Sequence, residues 1–401
     1  MHKSRVVLLV IFSLISLDAY ASGFSKPVWG GARSIGLGGA FVGLADDATA
    51  LWHNPAGITY LENKHHFYVG ADALITDTDF TPLGGSKESA KTEFLPVPSF
   101  AYVNKGLKAL TLGIGVYFPH GNGGKYDTAS FNAIGNPLEG RIYSMEILPT
   151  FAWQITPAVS FGASLRIVRI SNTIKGQTFI NPATLTVVDV LDDLEVDGWT
   201  FGTSFGVMVR PNDWLRIGAN YRSQVRDTLK GNGTFQTLGN FDVSLTQTLP
   251  TLVTVGFSAQ ATQYLLFSFA YGFERNKEVR NIDVSTDLIG DVTLPQNWKN
   301  SHTFHFGTEI KPNDRMHVLL GYAKDFNESI PDAINNRVTG DIAAHEVSAG
   351  VGVNISPKIR STLAWNGRFG DRTVPNNGTN IAPGEVSAFV HTLSLGLGMN
   401  L

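Results

Sequence analysis

Val390 to Leu401 reads VHTLSLGLGMNL, and its parity decides the fold. Leu393, Leu395, Leu397, Met399 and Leu401 share one face, while Thr392, Ser394, Gly396, Gly398 and Asn400 share the other. That period of two is the mark of an extended strand whose faces meet unlike surroundings. The same apolar face recurs at Leu110, Leu112, Ile114, Val116 and Phe118, at Phe161, Ala163, Leu165 and Ile167, and at Leu265, Phe267, Phe269, Tyr271 and Phe273. From His66 onward the chain alternates in segments of about ten residues, the length that crosses a membrane as a tilted strand.

A soluble sandwich alternates too, so the punctuation has to separate the two cases. TFAWQITPAVSFGASLR, SFGVMVRPNDWLRIGANYR, HFGTEIKPNDRMHVLLGYAK and GVGVNISPKIRSTLAW each run strand, short turn with a proline, strand. Proline pre-sets φ there, and the Asn of Pro211-Asn212 and Pro312-Asn313 accepts the turn geometry. AYVNKGLKALTLGIG and GFSAQATQYLLFSFAYG are weaker copies without the proline. Tight turns therefore fall near residues 105, 157, 212, 262, 313 and 357. Between them lie long polar stretches such as HGNGGKYDTASFNAIGNPLEG and ERNKEVRNIDVSTDLIGDVTLPQNW.

Strict alternation of short and long connections, with an even strand number and an apolar outer band, is the pattern of an outer-membrane barrel. Counting hairpins predicts an all-β, 14-stranded antiparallel transmembrane β-barrel, with strands near 66-74, 94-103, 108-118, 141-153, 159-171, 198-209, 214-226, 247-259, 264-275, 299-310, 315-325, 344-354, 359-368 and 386-401. Closure is required because an open sheet edge in hydrocarbon leaves backbone groups unpaired. Tyr143, Trp153, Trp199, Trp214, Tyr221, Tyr322 and Trp365 near strand ends would supply the aromatic girdles.

Composition agrees. Gly is 42 of 401 residues, aromatics are 11% and Cys is 0, which removes disulfides and thiolate metal sites. A net charge of -3 gives no reason to expect a nucleic-acid partner. The segment 1-21 has a basic start, MHKSR, an apolar core, VVLLVIFSLISL, and the small-x-small site Ala19-Tyr20-Ala21, so it is expected to be a secretory signal peptide.

Residues 22-63 precede the barrel, 64-401, and do not obey its pattern. GGARSIGLGGAFVGLA carries six glycines among sixteen residues, suited to close backbone packing. In ADDATALWHNPAGI, Asp46 or Asp47 can cap a short helix, and Asn54 before Pro55 is biased away from αR and ends it. The segment reads as a plug in the lumen. GGARSIGLGGAFVGLADDATALWHNPAGI, with Asn54-Pro55-Ala56 after its acidic pair, resembles the N-terminal hatch of the FadL-type outer-membrane transporters of long-chain fatty acids and other hydrophobic molecules. The resemblance covers essentially the whole chain after residue 21.

It implies passive uptake: capture by outer loops, a lumenal pocket beside the hatch, and lateral exit through a gap in the wall. It also implies an outer-membrane location in a Gram-negative cell, contact with outer-membrane lipid and lipopolysaccharide, hydrophobic small-molecule partners and a monomer. Several residues fit these roles. Phe179, Ile180, Leu185, Val188 and Leu191 in one long connection, and Phe235, Leu238 and Phe241 in the next, are candidates for a capture groove or for mutual packing as a lid. Pro96 and Pro98 fall inside the second strand, where proline removes ladder donors, and are the lateral-gap candidates. Strand parity points Arg166, Arg216, Arg222 and Arg360 inward with Asp72, Glu146, Glu274, His305 and Glu309. A carboxylate head group would need such a cation, Arg166 or Arg216 first and Arg222 next, although a lumen of this kind is filled by internal ion pairs as well.

An enzyme is the first rival. His53, His65, His66, His120, His302, His305 and His317 are accompanied by no G-x-S-x-G, H-E-x-x-H or triad pattern, so no catalytic residues, metal or cofactor are expected. The second rival is a barrel accessory that docks protein partners during secretion or outer-membrane assembly, which a hatch does not distinguish from a transporter.

Overall fold

The computed structural model describes residues 30-107, 109-127, 138-180, 187-288, 290-326, 328-334, 341-378, 380 and 383-401. The leader expected at 1-21 lies outside them.

The ring is made of β1 (His65–Pro82), β3 (Glu93–Leu107), β4 (Leu110–Tyr126), β5 (Leu138–Thr156), β6 (Val159–Ile180), β7 (Val187–Val209), β8 (Leu215–Arg222), β11 (Leu252–Thr262), β12 (Leu265–Glu274), β15 (Ser301–Ile310), β16 (Met316–Asp325), β17 (Ala344–Ser356), β18 (Ile359–Val374) and β19 (Gly384–Asn400). These 14 strands pair antiparallel in chain order, and β1 closes on β19 from His66↔Asn400 to Pro82↔Gly384. Closure removes the two free edges that an open sheet would carry in the hydrocarbon. Parity sorts the two faces as expected: Leu393, Leu395 and Leu397 are exposed toward lipid, whereas Thr392 and Ser394 are buried inside. Trp153, Trp199, Trp214, Tyr143, Tyr221 and Tyr322 are likewise exposed on the outer face, where an indole or phenol can keep its polar tip wet.

At the end carrying the long connections the sheet continues beyond the ring. The short β2 (Glu88–Ser89) folds back on the end of β1. Residues 225-249 leave the wall as the hairpin β9 (Val225–Phe235) and β10 (Gly239–Leu249), and β9 pairs with the upper part of β7. β13 (Asn281–Thr286) and β14 (Gly290–Pro295) add to β10. The seventh and eighth wall strands are therefore shorter than the alternation suggests, and the stretch 172-197 is largely the extended β6–β7 hairpin. Alternation persists through an extended hairpin, since pairing satisfies its backbone groups in water as in lipid, so the pattern alone does not mark where the wall ends.

Residues 30-61 occupy the lumen. α1 (Ala32–Gly36), α2 (Ala50–His53) and a 3-10 turn over Pro55–Tyr60 are buried almost throughout. Their contacts come from every side of the ring: the Ala32 amide donates to the Tyr68 hydroxyl on β1 at 2.8 Å, the Asn54 amide to the Val207 carbonyl on β7 at 3.0 Å, and the Ser258 hydroxyl on β11 to the Gly43 carbonyl at 3.2 Å. Only a segment inside the ring can be reached this way.

The wall is shaped for the backbone of this hatch. Three pairs of glycines face one another across adjacent strands: Gly162↔Gly206, Gly218↔Gly256 and Gly307↔Gly321. A Cβ on Gly206 would stand 2.2 Å from Asn54 Oδ1, on Gly218 2.1 Å from the Val42 carbonyl oxygen, and on Gly321 2.2 Å from the Gly38 nitrogen. These inward positions, spread over β6 to β16, seat the hatch main chain directly on the sheet. Toward β3, β4 and β5 the contact is through side chains, with Leu51, Trp52 and Ile58 packed among Ala101, Val103, Tyr117 and Leu148.

Candidate functional site: a cavity at a break in the wall

β3 carries Pro96 and Pro98 within its length. On the β1 side its ladder runs unbroken from His65↔Asn104 to Thr76↔Glu93, across both prolines. On the other side it pairs with β4 only from Phe100↔Val116 downward, and Glu93 to Ser99 have no partner there. β4 departs at the same level: a bulge between Tyr117 and His120, around Pro119, shifts its register with β5 by one residue. Above the break the two strands meet again, where the Lys91 amide donates to the Lys125 carbonyl at 2.7 Å and the Lys91 ammonium lies 2.5 Å from the Asp127 carboxylate. The result is a framed window. Prolines cannot donate to a ladder, so neither jamb offers the other a full row of hydrogen bonds.

Behind the window lies a cavity of about 450 Å³, a volume suited to a small hydrophobic ligand. Leu74, Leu95, Val97, Phe118, Ile142 and Val390 give it an apolar lining. Pro96, Pro98 and Tyr143 line it too, although all three are exposed on the outer face of the barrel. The cavity thus abuts the wall at the break between β3 and β4. Its charged groups are internally matched: Arg368 faces Asp325 at 2.9 Å and Glu346 at 3.1 Å, and Arg141 faces Glu93 and Glu139.

The arginines singled out from the sequence do point inward, but the cavity lining does not include them. Arg166 and Arg222 are buried around Glu146 of β5, Arg166 at 2.7 Å. Arg222 also stacks 4.8 Å over the Trp52 ring of the hatch. Arg216 lies 2.9 Å from Asp46, which also pairs with Arg33, and Arg33 bonds Glu309. These ions tie hatch to wall. Burial opposes ionisation of Asp46, yet the Arg33 and Arg216 guanidiniums outweigh it and hold the carboxyl below its usual range. Burial, with the Arg222 charge added, pushes the His53 imidazole down to about 3.

Neither aspartate caps α2. Its N-cap is Thr49, which makes no side-chain cap bond, and Asp47 instead accepts from the Thr49 amide and hydroxyl one step earlier. Ion pairing took Asp46, a competition that a local reading does not see. Asn54 ends the helix and its side chain accepts from the Ala56 amide at 3.2 Å, opening the turn that begins at Pro55.

The apolar residues of the long connections pack together. Leu191, Phe235 and Phe241 are buried in a core shared with Val168, Leu229 and Trp298, and Phe235 stacks on Phe241 at 4.9 Å. Leu238, at the hairpin tip, is exposed. Leu185 lies outside the described residues, as do the side chains of Phe179, Ile180 and Val188. Sequence reasoning missed Pro119 and the glycines Gly121 and Gly123: HGNGGKY reads as a polar loop but forms the upper part of β4. Proline inside a glycine-rich continuation of a strand was the available signal.

Fold and site define a closed membrane barrel with a segment packed inside it and a break in the β3–β4 ladder. Residues 12–391 match the family model of outer membrane protein transport proteins (OMPP1/FadL/TodX), and the chain belongs to this family. It is 25% identical over 381 residues to an outer membrane protein of Neisseria meningitidis serogroup B, covering 80% of each chain. It is 23% identical over 378 residues to the long-chain fatty acid transport protein of Salmonella typhi, covering 84% of each. In fold it resembles the crystal structure of a Pseudomonas aeruginosa FadL homologue, with a TM-score of 0.82 at 14% identity over 94% of this chain and 100% of that one. The P. putida toluene transporter TodX follows at a TM-score of 0.78 and 19% identity, over 92% and 98%. The protein is an outer-membrane β-barrel of a family that transports hydrophobic compounds.

Proposed function

We propose that this barrel takes up hydrophobic molecules passively, holding them in the cavity behind the β3–β4 window and releasing them sideways through it into the membrane. The carrying observation is that Pro96, Pro98 and Tyr143, outer-face residues, line a cavity that also reaches Leu74, Ile142 and Val390 inside. A neutral ligand fits better than a carboxylate, because both arginines of the lining already face two carboxylates each. A carboxylate at Arg166 or Arg222 would have to displace Glu146, and one at Arg216 would displace Asp46. Long-chain acids and toluene are named for relatives, and both share the apolar body that this lining would take.

The exposed Leu238 tip, with the Phe179–Val188 segment, is the proposed first contact for ligand. Residues 1-21 are the proposed leader, residues 22-63 the hatch, and the mature barrel a monomer whose outer surface meets lipid and lipopolysaccharide. A docking role in secretion or assembly would leave window and cavity without a use.

The test is uptake of a single-ring hydrocarbon by cells whose only such barrel carries Leu95→Cys and Gly121→Cys, one on each jamb. Bridging the pair with a short bifunctional maleimide should abolish uptake, while the unbridged protein keeps it. Unchanged uptake through the bridged barrel would exclude the lateral route, and co-purification of a stoichiometric protein partner in that case would favour docking.

A further inference from the structure

An ion pair crosses the window at its upper end. Arg141 stands on β5 with its side chain 41% exposed, on the same outer face as Tyr143, and Glu93 stands on β3 with its side chain only 11% exposed. β4 lies between them. The guanidinium nevertheless reaches Glu93 with one terminal nitrogen, while its Nε lies 3.0 Å from Glu139, which in turn sits 3.1 Å from the Lys125 ammonium of β4.

The register explains how the side chain gets there. Arg141 is the direct partner of Gly123 on β4, and a Cβ on Gly123 would meet Arg141 Cγ at 3.0 Å and the Gly140 carbonyl oxygen at 2.6 Å. Any side chain at 123 would occupy the path that Arg141 takes over the strand. Both ions of the pair line the cavity, and so does Gly123. The bond therefore runs from the outer face into the opening itself.

We propose that the Arg141–Glu93 ion pair is a strap across the window that sets its height and so selects ligands by size, with Gly123 present to let Arg141 cross β4. This rests on the window being the exit. An ion pair with its guanidinium partly in solvent suits such a strap because a screened pair is worth little as a stabiliser, so it can part and re-form, yet a ligand must lift it to pass above the level of Leu95. A bulky hydrophobe feels that barrier more than a compact one.

The experiment compares uptake of a three-ring and a single-ring hydrocarbon in cells carrying wild type, Glu93→Gln, Arg141→Gln, Arg141→Lys, Gly123→Val and the swap Glu93→Arg/Arg141→Glu. The three-ring to single-ring ratio should rise about threefold in the two Gln variants and in Gly123→Val, the order of change that a partly screened ion pair can supply. Arg141→Lys and the swap, which keep a pair of opposite charges, should return the ratio to the wild-type value. Heat-modified migration on gels confirms that each barrel is folded. A wild-type ratio in every folded variant, or a swap that fails to restore it, overturns the strap while leaving the exit route intact. Single-ring uptake that survives maleimide bridging of the Leu95→Cys/Gly121→Cys double variant overturns the exit route, and the strap with it.

Discussion

The two sides of the barrel solve opposite problems with the same strand pattern. From β6 round to β16 paired glycines let the hatch backbone lie directly on the sheet. From β1 to β5 the strands carry Pro96, Pro98, Pro119 and a bulge, and the β3–β4 ladder stops at Phe100↔Val116. One side is a seat, and the other is the proposed door. Removing a side chain brings backbones together, whereas removing a backbone donor keeps them apart, so glycine and proline, both strand breakers by reputation, have contrary effects here.

Glu146 joins the two sides, since it stands on β5 and holds Arg166 of β6 and Arg222 of β8. Glu146→Ala should have the largest effect, destabilising the folded barrel by about 3–5 kcal/mol because two buried guanidiniums lose their counter-ion. Urea unfolding in detergent measures it; a loss below about 1 kcal/mol, the worth of an exposed pair, would mean that water solvates this site.

A single added side chain separates seat from door directly. Gly206→Val should cost about 1–3 kcal/mol by overpacking against Asn54 and Pro55, and should displace the hatch enough to admit ions. Gly121→Val, where a Cβ would meet nothing closer than the Ile142 carbonyl at 3.9 Å, should leave stability and ion conductance at wild type. Planar-bilayer conductance of the two variants decides; equal leakiness would erase the distinction.

The smallest effect concerns acid. His53 is neutral in the folded hatch down to about 3, below its ordinary value of 6.5, so its contribution is complete above pH 6.5 and is lost as pH falls from there toward 3. Asp46, held below its ordinary 3.8, adds a further loss only when pH falls below that value. Protease access to the hatch should therefore rise modestly between about pH 6.5 and pH 4, and His53→Gln should flatten that rise. A rise of the same size in His53→Gln would assign it to another group.

Much of this molecule can be read from its residues in order. The parity of VHTLSLGLGMNL names the lipid face, because a side chain in a strand has only two directions and hydrocarbon tolerates one of them. The turns at Pro211-Asn212 and Pro312-Asn313 set the hairpins, and their count set the ring. The hatch was visible as the one stretch that broke the pattern. These are local signals, written in the spacing of neighbours along the chain.

What tertiary structure alone decided is which groups meet. Asp46 gave up helix capping to pair with Arg33 and Arg216, from another turn of the hatch and from the wall. Arg166 and Arg222 found Glu146 rather than open lumen, and Arg141 crossed a strand to reach Glu93. Leu191, Phe235 and Phe241, apolar in segments that looked like loops, closed on one another because burying them together removes more apolar surface from water than exposing them does. Pro96 and Pro98 were conspicuous in the sequence, but the break they border depends on Pro119, two strands' pairing and the one-residue shift on β4. Parity tells a residue which face it occupies; only ring closure, which fixes every strand's register at once, tells it what it will touch.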